Sequence, residues 1–177
     1  MRRVLATLCL VAVCGLLLAV RPASAGEAKA AVNPTADFID KIVVDKSARQ
    51  MSVLREGRVV KSWPIALGFA PEGHKTQEGD GKTPEGWYVI DYRNPDSDYY
   101  LSLRISYPND GDRTQAESRG VSPGGQIYIH GQPSTMKSFL RAKRMKDWTA
   151  GCIAVSDEAM DELWQLVQLG TPIEIHP

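Results

Sequence analysis

Apolar residues along this chain fall mostly into short runs of strand length, divided by glycine, proline and charged turns. Ile39–Val44 is rich in β-branched residues, and Asp45-Lys46-Ser47-Ala48 follows it as a turn. Gln50–Leu54 predicts a second strand, Glu56-Gly57 a tight turn and Arg58–Ala66 a third strand, which together make a β-meander. Gly68–Gly86 mixes glycines and prolines with charged residues and predicts a long surface loop. Long loops inside a small domain are uncommon and often functional. Trp87–Tyr92 reads as a strand, and Leu101-Ser102-Leu103-Arg104-Ile105 alternates cleanly, with Ser102 and Arg104 on one face. Tyr107–Gly111 closes that strand, Arg113–Pro123 is polar and reads as loop with any helix there short, and Gln126–Ile129 is a strand that delivers His130.

Two stretches carry helical patterning. Met136, Phe139 and Leu140 mark one face of a short helix. After Ser156, a good N-cap, Asp157-Glu158 suit the first turn, and Met160, Leu163, Trp164 and Val167 form a core-facing stripe. Ser156 therefore reads as a cap rather than a nucleophile. Gly170 stops the helix, and Ile173–Ile175 is a last strand. Many short strands with few helical periods predict a mainly-β sandwich or barrel-like fold.

The first 25 residues follow a different rule. Arg2-Arg3, the apolar stretch Val4–Val20 and Ala23-Ser24-Ala25 have the layout of a cleaved signal peptide. The alternative is a retained membrane anchor. The expected organisation is a signal peptide at 1–25, a tether at 26–38 and one catalytic domain at 39–176, exported to the periplasm or another extracytoplasmic space. The full chain balances 21 basic against 21 acidic residues. Removing a leader with Arg2, Arg3 and Arg21 leaves a mildly acidic protein, with no global attraction for nucleic acid. The expectation is no nucleic acid partner and no stable membrane span after cleavage.

Cys152 is the one cysteine outside the leader, since Cys9 and Cys14 lie within it. A lone thiol in an exported chain has no internal disulfide partner. Small residues flank it in Thr149-Ala150-Gly151-Cys152-Ile153-Ala154, which lets a substrate backbone approach and leaves the Gly151 and Cys152 N–H groups to point outward. His130-Gly131 ends a strand, so the imidazole can face a cleft. Thiol, imidazole and backbone donors are the components of acyl transfer. His74 reads as a solvated loop histidine and His176 as a bystander. Trp148 either floors a cleft or packs beneath one. Between the two candidates, Lys137, Arg141, Lys143, Arg144 and Lys146 form a basic stretch, either a solvated face or a lid that attracts anionic peptide. Zinc, phosphate-loop and papain-like readings lack the required spacing or order.

These residues resemble the L,D-transpeptidase catalytic domain, the YkuD-type cysteine enzymes of bacterial cell walls. The match runs through Leu67-Gly68, Gly79–Ile90, Ile105–Asn109, His130-Gly131 and Thr149–Ala154, and spans about residues 39–176. Ala150 stands where the family carries a second histidine, and Ala154 where it usually carries Asn or Arg. The resemblance implies a β-sandwich of the L,D-transpeptidase (YkuD-like) type with one or two short packed helices. It implies Cys152 as nucleophile, His130 as base, and Gly151 and Gly131 as oxyanion or orienting backbone. Thr149, Trp148, Tyr107 and Arg141 are candidate substrate contacts. It further implies peptidoglycan stem peptides as partners, with a wall-attached protein as a further one, and no metal or organic cofactor. Either an amine or water would resolve the thioacyl-enzyme, which separates a transpeptidase from a carboxypeptidase or amidase. A non-catalytic wall-binding protein is the remaining alternative.

Overall fold

The computed structural model describes residues 38–177. The expected leader, and all but the last residue of the expected tether, lie outside the described residues. Alternating burial builds the first hairpins. Strand β1 (Lys41–Asp45) buries Ile42 and Val44, β2 (Gln50–Arg55) buries Met51 and Val53, and β3 (Arg58–Pro64) buries Trp63. Glu56 and Gly57 both take positive φ at the β2–β3 turn, as a two-residue hairpin loop matched to strand twist requires.

The other strands are β4 (Gly86–Ser97), β5 (Tyr100–Ile105), β6 (Tyr128–His130), β7 (Ile153–Ala154) and β8 (Pro172–His176). Their order is β3-β2-β1-β8-β4-β5-β6-β7. The C-terminal strand thus enters the sheet between β1, to which it is parallel, and β4, to which it is antiparallel. Strand β4 serves both halves of the sheet. Its register against β5 shifts between Ile90 and Tyr92 and again between Asn94 and Ser97, and such bulges bend a strand. One buried cluster draws Ile42, Met51 and Val53 from the first half and Leu103, Ile105, Ile129 and Ile153 from the second. Both halves therefore close on a common core, and the chain is mainly β with few short helices. Beyond β3, Ala66 bridges Ala154 and Gly68 bridges Thr149, which joins the two ends of the strand order.

Helix α3 (Asp157–Leu166) forms as its pattern predicts. Ser156 Oγ accepts the Ala159 N–H, and Met160 and Leu163 are fully buried, each worth about 2 kcal/mol of apolar burial. Helix α1 (Asp110–Glu117) occupies part of the stretch read as loop. Its first turn is held by a reciprocal box: Asn109 accepts the Asp112 N–H at 3.0 Å, and Asp112 accepts the Asn109 N–H at 2.9 Å. Only Asp112 and Ala116 are buried in it, so no apolar stripe announces it. Helix α2 (Met136–Ala142) differs in its packed face. Met136 and Leu140 are exposed, Phe139 is half-buried, and Ala142 supplies the buried contact.

Candidate active site

The Cys152 loop is held from both sides by backbone. Asp147 takes three hydrogen bonds from the Arg49 guanidinium and one from the Leu67 N–H at 3.0 Å, which ties the start of the loop to the segment around β3. Thr149 pairs with Leu67 and Phe69 through main-chain bonds. Its buried hydroxyl then closes a tight turn, donating to the Cys152 carbonyl at 2.7 Å and accepting the Gly151 N–H at 3.1 Å. Gly151 sits at φ +134°, and a Cβ there would lie 2.7 Å from the Lys82 carbonyl oxygen. A Cβ on Gly68 would lie 2.1 Å from the Gly81 carbonyl. Gly68, close to Gly81 and Gly151, and Gly151, close to Lys82, are therefore the places where the long loop and the cysteine loop touch backbone to backbone.

That long loop is a fixed support. Lys46, almost fully buried, donates to the carbonyls of Gly73 and Thr83 and pairs with Glu85 at 2.7 Å. Lys75 pairs with Asp80 at 2.8 Å, and Asp80 also accepts backbone N–H groups of Thr76, Gln77 and Lys82. His74 accepts the Glu85 N–H on Nδ1 and faces Asp112 with Nε2 at 3.1 Å. Both of its nitrogens are thus committed to loop structure. His176 is exposed at the end of β8, beside Glu174.

Strand β6 carries His130 to the same place. It pairs with β5 on one side, Ser102 opposite His130, and with β7 on the other, His130 opposite Ala154. Nδ1 lies 2.8 Å from the Gly131 carbonyl oxygen, so it carries the proton and Nε2 presents its lone pair. A Cβ on Gly131 would lie 2.5 Å from Asp157 Oδ1, an oxygen that accepts the Gln132 N–H at 2.7 Å. The glycine lets the start of α3 grip this turn. The imidazole is flanked by two aromatic rings, Tyr99 with centroids 4.6 Å apart and Trp148 at 5.6 Å.

Cys152 and His130 open into one cleft of about 640 Å³, lined also by Trp148, Thr149, Tyr99, Tyr128 and Phe69. Cys152 is half-buried and is the free cysteine of the described residues. Its Sγ lies 3.6 Å from the Gln126 carbonyl oxygen, to which the thiol donates. Burial pushes the thiol pKa above its ordinary value, and the Tyr128 N–H and Lys75 counter this only in part. Burial also drives His130 down to about 4, against a smaller opposing pull from the Gly131 carbonyl. Both shifts favour the uncharged forms, so at neutral pH the site holds a thiol and a neutral imidazole.

The other expected site residues separate. Trp148 forms the cleft wall against His130 and Tyr99. Thr149 shapes the cysteine turn, and its hydroxyl occupies the Gly151 N–H, which was expected to point outward. The Cys152 N–H has no hydrogen-bond partner among the described residues. Tyr107 lies away from this cleft, buried and donating its hydroxyl to the Pro123 carbonyl at 2.9 Å. Arg141 lies on α2, and its side chain falls outside the described residues. Helix α2 borders the cleft through Ser138 and Ala142. Ala150 is exposed in the cleft, whereas Ala154 is buried in β7 and exchanges main-chain bonds with Ala66. Tyr99, Phe69 and Gln126 are cleft residues that no motif pointed to. Among the described residues, no cluster of His, Cys, Asp and Glu could hold a metal ion, and no helix is long and apolar enough to cross a membrane.

Comparison with known proteins agrees with this architecture. YafK of Escherichia coli strain K12, whose name places it among the L,D-transpeptidases, is 31% identical over 112 residues, covering 62% of this chain and 38% of YafK. Among solved structures, the helical cell shape determining protein Pgp2 of Campylobacter jejuni is 27% identical with a TM-score of 0.59, covering 80% of this chain and 48% of that one. Bd1075 of Bdellovibrio bacteriovorus is 26% identical with a TM-score of 0.55, covering 78% and 48%. The chain thus spans less than half the length of each of these relatives. Residues 39–175 match the L,D-transpeptidase catalytic domain (YkuD), and the chain belongs to that family.

Proposed function

We propose that this protein is a cysteine-dependent L,D-transpeptidase that acts on peptidoglycan stem peptides outside the cytoplasm. One observation carries the reading: Cys152 and a neutral His130, with Nδ1 tied to the Gly131 carbonyl, share one open cleft. In the reaction, Sγ attacks the diaminopimelate carbonyl of the L,D amide in a tetrapeptide stem while Nε2 of His130 takes the thiol proton. The carbonyl becomes an oxyanion, for which the Cys152 N–H, unpartnered among the described residues, is the available backbone donor. The C–N bond then breaks, the imidazolium returns its proton to the departing D-alanine amine, and a thioester remains on Cys152. Attack by the amine of a second stem, with His130 again taking a proton, releases the cross-linked product and restores the thiol.

Hydrolysis is the second reading, because Ala150 leaves the cleft mouth exposed where water could take the place of the amine. Pgp2 is described as a helical cell shape determining protein, and either reading would make this protein a remodeller of the wall. Mass spectrometry of muropeptides after incubation with disaccharide-tetrapeptide decides between them. Dimers with a diaminopimelate–diaminopimelate link support transpeptidation. Tripeptide alone, without dimer or D-amino-acid exchange, makes the protein a carboxypeptidase, and release of peptide-linked protein from sacculi an amidase. No turnover by a folded, reduced protein contradicts both.

A further inference from the structure

The cleft does not end at Cys152. Along β5, Ser102 and Arg104 alternate onto one face, and the ladder to β6 sets Ser102 beside His130 and Arg104 beside Tyr128. Two strand residues span about 7 Å, so Arg104 comes one step along that face from the level of the imidazole. There the surface dips again into a polar depression of about 290 Å³, bordered by Asp91, Arg104, Ser106, Arg113, Gly125 and Gln126. Gln126 borders both hollows.

Gln126 is also the residue against which the thiol rests. It holds φ at +58°, in the left-handed region that a non-glycine residue seldom adopts. In that conformation its carbonyl accepts from the Cys152 thiol, and its side-chain oxygen accepts the Tyr128 hydroxyl at 2.7 Å. Gln126 therefore lies between the cleft that holds the thiol and the polar depression. Strained backbone of this kind collects at functional sites.

The two guanidiniums in the depression differ. Arg104 is paired with Asp91, its Nε donating at 2.8 Å, and it stacks toward Tyr92. Arg113, near the start of α1, uses its main-chain N–H to bond Asn109, and its guanidinium has no ion pair or hydrogen bond among the described residues. An unpaired guanidinium above a polar hollow, beside one whose charge is balanced, leaves a net positive charge and a planar fork of donors. That is the chemistry that recognises a carboxylate.

We propose that this depression is a carboxylate subsite, in which Arg113 binds a free carboxylate of the peptide lying across Gln126, with Arg104 and Ser106 as its edge. The inference rests on Cys152 as the centre of peptide binding. Either of two carboxylates meets the requirement: the C-terminal one of the leaving residue, or the one on the diaminopimelate of an incoming stem. Their chemistry is the same, and selective amidation separates them.

The test is binding, so it does not depend on turnover. Full-length Cys152→Ala protein is titrated with synthetic tetrapeptide carrying all its carboxylates, with the same peptide amidated at its C-terminus, and with the peptide amidated at diaminopimelate. One amidated form should bind about tenfold more weakly, the low end for losing a charge-assisted bond, and identifies the carboxylate. Adding Arg113→Ala should bring the free and amidated peptides to equal affinity, and Arg113→Lys should restore part of the difference. Equal binding of all three peptides, or a preference that survives Arg113→Ala, overturns the proposal. A carboxylate preference with no thioester chemistry in the Cys152 protein would leave the subsite standing and remove the transpeptidase reading instead.

Discussion

The Gly131 carbonyl oxygen lies 2.8 Å from His130 Nδ1, so a residue's immediate neighbour determines which nitrogen of its ring carries the proton. The carbonyl holds the proton on Nδ1 without introducing a carboxylate. With no negative charge facing it, the buried imidazole falls to a pKa of about 4. In the proposed reaction, a histidine poised this way takes a proton only during attack by the thiol.

That shift has a consequence for folding. Between pH 6.5 and about 4, the unfolded chain protonates His130 while the native site stays neutral. The unfolded state therefore binds the extra proton, and stability falls as pH drops through this window. The shift amounts to roughly 3 kcal/mol once the pH is below 4. Urea denaturation at pH 7 and at pH 4 should show this loss, and His130→Phe should remove most of the His130 share. A parent and variant with the same pH dependence would contradict the burial argument.

The thiol should behave in the corresponding way. Its pKa is raised by burial, so ultraviolet thiolate absorbance that depends on Cys152 should appear only above the ordinary range near 8.5. A preformed thiolate–imidazolium pair would instead show thiolate absorbance at pH 6, and would replace proton transfer during attack by a resting ion pair.

Thr149 connects the stability of the loop to its reactivity. Thr149→Val keeps the shape but strands the Gly151 N–H and the Cys152 carbonyl, which are joined to its hydroxyl at 3.1 and 2.7 Å. The expected cost is about 1–3 kcal/mol for unsatisfied buried groups, with slower acylation of Cys152 in protein that still folds. Thr149→Ser should recover both. Normal acylation by the valine variant would show that the turn does not position the thiol.

Histidine substitutions separate base from scaffold. His130→Ala should slow acylation by roughly two to four orders of magnitude, the usual worth of general-base assistance. His74 is bonded to Glu85 and Asp112, and His176 lies exposed on β8. Alanine at either should leave the acylation rate near that of the parent, and an equal loss at His74 would move the base to the long loop.

What the sequence disclosed follows from how local each signal is. The meander β1–β3, the strand ending at His130 and the capped α3 are written in two-residue alternation, turn glycines and an N-cap serine, and all three form. Placement of β8 between β1 and β4 has no local signature, since it pairs residues about 130 positions apart, such as Ile42 with Ile173. Helix α1 is only as long as the polar stretch allows, and it starts before Arg113 because its stability resides in the Asn109–Asp112 box rather than an apolar stripe. That pattern of Asn and Asp three apart was readable. Strand β4 runs on to Ser97, past the tyrosine where its alternation fades, and its hairpin carries Tyr99 against His130. Nothing in the spacing of Tyr99 and His130 could announce that contact. The outward Gly151 N–H was also unreadable in its true state, because the Thr149 hydroxyl that occupies it depends on a turn geometry seen only in three dimensions.

The central claim, that Cys152 is a nucleophile assisted by His130, is tested most directly by intact-mass spectrometry during incubation with a carbapenem. The parent protein should gain one drug mass, the Cys152→Ala variant none, and the His130→Ala variant the same adduct far more slowly. A folded, fully reduced parent protein that stays unmodified, or an adduct that persists in Cys152→Ala, would contradict it.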